Sequence, residues 1–216
     1  MLGLALFVLT WTSAASVGDP KKVTRYALEL EWRPSYCMMT YCPPSWKVNE
    51  FAITSLRTQG RTAKEAEDCI CDETMASLRP DTKKQMAKYF PTRELETNSE
   101  GMWKEQWEKF GCCMESRDRP NRYFKRTLDM FQALSVLDTL EQHGVKPGGM
   151  VFTKDFRAAF SKKISLSCTF SQLTSVRFFY NLAFDQIDAH EENHDEKCGE
   201  AFSFPALSVT RTVADL

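Results

Sequence analysis

The chain has 216 residues, with 28 Lys and Arg against 29 Asp and Glu and a formal net charge of −1. That balance excludes a protein that attracts nucleic acid through its overall field, so any contact with a polyanion must come from a local site. Roughly 200 residues beyond the apolar N-terminus are enough for one self-sufficient core without a structural metal.

Leu2 to Ala15 carries no charge, and its only hydroxyl residues are Thr10, Thr12 and Ser13. It is shorter than the roughly 20 apolar residues that span a bilayer. Ser13-Ala14-Ala15 places small residues before Ser16, so residues 1–15 are expected to be a cleaved signal peptide and 16–216 a single domain. A buried N-terminal helix is the competing reading. Eight cysteines behind such a leader read as a disulfide framework in a secreted, extracellular protein that keeps no membrane contact after cleavage.

Tyr26 to Trp32 alternates apolar and polar residues, the period of a half-buried strand. Pro34, Pro43 and Pro44 predict a loop that holds Cys37 and Cys42, and Glu50 to Thr54 reads as a second short strand. From Arg61 to Phe90 the spacing turns helical and Pro80 divides it, which fits two or three short helices. Asn121 to Gln142 is the clearest helix, with Phe124, Leu128, Phe131, Leu134, Leu137 and Leu140 at three- and four-residue steps, stopped by Gly144. Pro147-Gly148-Gly149 makes a turn, and Thr153 or Asp155 can cap a helix carrying Phe156 and Phe160. Beyond Ser165 the pattern returns to strands, with alternating runs at Val176 to Tyr180 and Phe184 to Ala189. Strands, then helices, then strands predict an α+β fold around an antiparallel sheet with packed helices.

Leu28 to Cys37, Pro44 to Trp46, Glu50 to Ile53, Tyr89 to Pro91 and Met102 to Cys113, in that order, together resemble the ribonuclease T2 family. Leu28 to Cys37 is similar to the family's opening strand and departs from it at Arg33 and Ser35. Pro44-Ser45-Trp46 followed by Glu50 to Ile53 looks like the approach to its first active-site segment, and Tyr89-Phe90-Pro91 is similar to its Y-W-P. Met102 to Cys113 is similar to the second active-site segment, F-W-x-H-E-W-x-K-H-G-T-C, at Trp103, Trp107, Lys109, Gly111 and Cys113. The resemblance runs from about Tyr26 to Cys198 and implies the family's fold, a disulfide-bonded α+β domain.

The activity it implies is endoribonuclease cleavage of RNA by transphosphorylation through a 2′,3′-cyclic phosphate. A base takes the 2′-hydroxyl proton and an acid protonates the departing 5′-oxygen, two roles that suit imidazole with its pKa of about 6.5. Here Thr54 stands where the resemblance places the first histidine, Glu105 and Phe110 where it places the others, and Gln106 where it places the glutamate. Lys109 alone of those polar positions keeps its residue, and with Arg57 it is the candidate phosphate ligand; a solvated helix lysine is the competing reading. Trp103 and Trp107, four apart, read as core. No intact catalytic set, no cofactor and no metal site is expected.

By the same resemblance Cys37 pairs with Cys42, Cys168 with Cys198 and Cys113 with Cys69 or Cys71, and the other of these two is left to pair with Cys112, where the resemblance places a threonine. A zinc site from these last four is the alternative, disfavoured in an oxidising compartment. The resemblance also implies a bridge in the late strands, where Phe179 and Ala189 stand instead. His190-Glu191-Glu192-Asn193-His194 fits H-E-x-x-H, but it follows a strand-like run and no later histidine supplies a third ligand, so an acidic loop is the stronger reading. Two functions compete: a noncatalytic secreted binding protein for RNA, weakly, or for a protein partner, and a working endoribonuclease with an unidentified acid and base.

Overall fold

The computed structural model describes residues 23–59, 75, 78–93, 99–114, 119–189 and 198–208. Strand β1 (Arg25–Trp32) is central, flanked by β2 (Phe51–Gln59) and β5 (Gln172–Tyr180), both antiparallel to it. Its position explains why Leu28, Leu30 and Trp32 are fully buried and why even Glu31 is 9% exposed: neighbours on both edges leave little of the strand to solvent. β5 also pairs with β4 (Ser165–Thr169) and β6 (Gln186–Ile187), and beyond it lie β7 (Ala201–Phe204) and β3 (Gly149–Phe152). The α+β class stands, but the sheet is mixed, because β7 runs parallel to β5 at Gln172 and Ser203.

Seven helices are described. The expected loop after β1 is helical instead: α1 (Arg33–Met39) carries Pro34 in its first turn, where a missing N–H leaves no bond unmade. α2 (Pro80–Tyr89) begins at the proline that divides the central region. α3 (Ser99–Gln106) runs through a π-helical turn at Trp107–Gly111 into the short α4 (Cys112–Met114). The helix expected over 121–142 is two, α5 (Pro120–Leu134) and α6 (Val136–Gln142), separated by Ser135 with φ 39° and ψ 50°. A left-handed serine carries no Gly or Pro signal, so periodicity continues across a break in the backbone. Thr153 begins α7 (Thr153–Ala158) rather than capping it, and its hydroxyl donates to the Gly199 carbonyl at 2.6 Å. The second late strand shrinks from the alternating run Phe184 to Ala189 to the two residues of β6.

The core lies between the sheet and the helices, where Trp32, Trp107, Tyr123, Phe124, Phe156, Phe178, Phe202 and Phe204 are almost wholly buried. The two departures at the start of α1 are structural. Buried Arg33 donates to the carbonyls of Ser45 and Lys88 at 3.0 and 2.7 Å and lies over the Trp46 ring, while Ser35 Oγ donates to the Leu173 carbonyl. Trp103 and Trp107 are core as expected. The Cys37–Cys42 and Cys168–Cys198 disulfides form, and Cys112 is disulfide-bonded as well. Cys69, Cys71, the Cys113 side chain, the leader and His190 to His194 lie outside the described residues.

Candidate functional site

The pairing of β1 with β2 slips between Glu29 and Leu30: Glu29 faces Ser55, Leu30 faces Ile53, and Thr54 is the extra residue of a β-bulge. Bulges re-aim a side chain, and here the one re-aimed belongs to the first expected site segment. Thr54 Oγ1 donates to the Glu29 carbonyl at 3.1 Å, and the residue lines a cleft of about 460 Å³. The opposite wall is α3, which brings Glu105 and Gln106; Arg57, Glu29, Trp46 and Arg93 complete the polar lining. Two segments about fifty residues apart in sequence therefore meet across one concavity. None of the residues lining it is a histidine.

The π-helical turn follows directly on α3, and such turns recur at functional sites. It ends at Gly111, where a Cβ would lie 2.5 Å from Trp107 Cε3 and 2.9 Å from the Tyr123 ring, so only glycine lets the turn pack on α5. Tyr123 in turn donates to the Leu56 carbonyl at 2.8 Å and ties α5 to β2 beside Arg57. Phe110 meets the first segment through Arg57, whose guanidinium lies 5.6 Å from the ring centroid. Lys109 is not among the lining residues; more than half exposed, it is ion-paired with Glu105 one turn earlier.

The positive charges at the cleft are matched by carboxylates. Arg57 sits 3.4 Å from Glu29 and donates through Nε to Ser55 Oγ at 2.9 Å. Glu29 also takes Arg177 at 3.3 Å, and Arg93 holds Glu31 at 2.7 Å. Burial pushes the Glu31 carboxyl up to about 7, with the Arg93 charge opposing and the Glu29 charge adding to the rise. Gln106 Oε1 is buried with no hydrogen-bond partner among the described residues. Alternation put Glu29 and Glu31 on the polar side of β1, which read as solvent-facing; the signal missed was that a central strand has little solvent to face. No group of three or more metal-ligating side chains occurs among the described residues.

The family model of the Ribonuclease T2 family matches residues 23–198. A ribonuclease-like storage protein of Panax ginseng is 25% identical over 166 residues, covering 75% of this chain and 68% of its own. Ribonuclease S-7 of Nicotiana alata is 30% identical over 154 residues, covering 66% of this chain and 69% of its own. Among solved structures, trichomaglin, described as a novel S-like ribonuclease, superposes with a TM-score of 0.72 at 21% identity over 86% of this chain and 98% of its own.

Proposed function

The chain belongs to the ribonuclease T2 family, and we propose that it is a noncatalytic member, a secreted binding protein whose cleft no longer cleaves RNA. The observation that carries this reading is the cleft itself, which Thr54 and Glu105 both line and to which no histidine contributes among the described residues. Transphosphorylation needs a base at the 2′-hydroxyl and an acid at the leaving oxygen, and loss of one such group costs ~10²–10⁴ in rate. Glu105 can accept a proton. Neither the Thr54 hydroxyl nor the Phe110 ring can protonate an alkoxide near neutral pH.

The charges support weak RNA binding at most. A phosphate entering the cleft must compete with Glu29 for Arg57 and with Glu31 for Arg93. Among the ribonuclease relatives stands one named as a storage protein, which is consistent with a fold kept for something other than catalysis. The apolar leader and the oxidised Cys37–Cys42 and Cys168–Cys198 pairs support secretion, and no described helix is long and apolar enough to cross a membrane.

The test is an RNA-hydrolysis assay on the purified, oxidised chain, paired with anisotropy measurements on a labelled oligonucleotide across a salt series. The expected result is no cleavage above background between about pH 4 and about pH 8, with weak binding that fades as salt rises. Robust cleavage yielding 2′,3′-cyclic phosphate ends would establish the alternative, an active endoribonuclease.

A further inference from the structure

A second concavity, of about 540 Å³, lies away from the cleft, between one face of α5 and the end of β5. Its helical wall is Arg122, Lys125, Arg126, Asp129, Met130, Ala133 and Leu134, residues three and four apart on one stripe. The wall is divided along its length. Three cations and one carboxylate occupy its first turns, Met130, Ala133 and Leu134 its last, and Arg126 and Leu134 are about 12 Å apart along the axis at 1.5 Å per residue.

Tyr180, Phe184 and Gln186 form the facing wall. Tyr180 is 5% exposed, yet its hydroxyl has no hydrogen-bond partner among the described residues, and burial alone pushes the phenol upward. Tyr123 bonds its hydroxyl to Leu56 inside the core, whereas the Tyr180 hydroxyl is not enclosed by the protein and is open to an acceptor in the groove. Phe184 is held at φ 67°, a conformation that bulky residues avoid. The Asn181 side chain secures that turn by accepting from the Ala183 and Asp185 amides at 2.9 Å each. The ring it positions stacks on Tyr26 at 4.6 Å and lies 3.9 Å from the Arg126 guanidinium, so the aromatic wall is built in place.

We infer that this groove is a binding site for a small organic anion with an aromatic body. The anionic group sits against Lys125, the body lies along Met130, Leu134 and Phe184, and an acceptor on the ligand accepts a hydrogen bond from the Tyr180 hydroxyl. Lys125 holds Asp129 at 2.8 Å, but that pair is more than half exposed, and such pairs are worth only about 0.3–0.5 kcal/mol, so the lysine is available to a ligand. The volume is in the range of small-molecule pockets, roughly 300–1,000 Å³. The site is independent of whether the other cleft cleaves RNA.

The probe is 8-anilinonaphthalene-1-sulfonate, an aromatic sulfonate followed by its fluorescence, titrated into the purified, oxidised chain. Saturable binding to one site is expected, displaced by phenyl phosphate but much less by inorganic phosphate or phenol, which each carry half the chemistry. Tyr180→Phe should weaken it ~5-fold, the worth of one net hydrogen bond. Lys125→Glu should weaken it ~10-fold or more through charge reversal. Circular dichroism confirms that both variants, one ring-preserving and one on the surface, keep the fold. Absence of saturable binding, equal displacement by phenol, or binding unchanged in both variants overturns the proposal.

Discussion

Two concavities of similar size, the cleft between β2 and α3 and the groove along α5, differ in what their polar groups already touch. In the cleft between β2 and α3, Arg57 meets Glu29 and Arg93 meets Glu31, so both cations already have an internal partner. In the groove along α5, Lys125 keeps only an exposed pair with Asp129, and the Tyr180 hydroxyl has no hydrogen-bond partner among the described residues. Shape makes neither a site. What decides is whether a ligand must displace an internal partner or can supply a missing one, because an existing ion pair is a competitor and an unbonded donor is not.

The largest expected effect would break the comparison by turning the cleft back into a working site. Thr54→His, Glu105→His and Phe110→His together should raise RNA cleavage at least ~100-fold over the unaltered chain, as restored acid and base groups do. An acid-soluble nucleotide assay measures it. No gain would show that these positions do not surround a phosphate.

Next is a pH effect confined to the cleft. Glu31 is ordinarily half-ionised near 4.5 and in the fold near 7, so the folded state holds its proton through the interval between. Stability is therefore full below about pH 4.5 and falls as pH rises through about 7, by up to about 3 kcal/mol. Urea unfolding from about pH 5 to about pH 8 should show the decline, and Glu31→Gln should flatten it. A midpoint that rises over that range in the unaltered chain would contradict the assignment.

Gly111→Ala probes the joint that both concavities share, since its packing partner Tyr123 sits on the helix whose other face lines the groove. Overpacking against Trp107 and Tyr123 should cost about 2 kcal/mol, read as a lower urea midpoint with unchanged slope. The smallest effect sharpens the contrast: Lys109→Ala removes an exposed pair with Glu105 worth about 0.3–0.5 kcal/mol, and oligonucleotide binding should change far less than with Arg57→Ala. The reverse order in the anisotropy titration would place the phosphate contact on the solvent side of the π-helical turn.

Much of the framework was legible because it rests on local periodicity. The alternation of Tyr26 to Trp32 identified β1, Pro80 marked the start of α2, and Trp103 with Trp107 read as core. Breaks that rest on one residue's backbone, such as Ser135 between α5 and α6, left no trace, since serine has no special claim on the left-handed region. The site was legible in part. Resemblance named Thr54, Glu105 and Gln106 and charge added Arg57, and all four line one cleft, whereas Lys109 and Phe110, named with them, are not among its lining residues. The four-residue spacing of Lys109 from Glu105 on a continuous helical run offers a simple reason: the two side chains reach each other along the surface.

By itself the sequence determined which chemical groups the chain owns and the local periods in which they recur, because both are properties of residues and their near neighbours. It excluded a charged field, placed the strand and helix faces, and named the groups at the resembling positions. Only the tertiary structure decided which groups are paired. Glu29 finds Arg57 and Arg177 because β1 lies between β2 and β5, and the Tyr180 hydroxyl reaches the α5 groove with no hydrogen-bond partner among the described residues because β5 ends there. Burial and pairing depend on contacts between residues far apart in the chain, and those same contacts determine whether a charge or a hydroxyl is used up or left to bind.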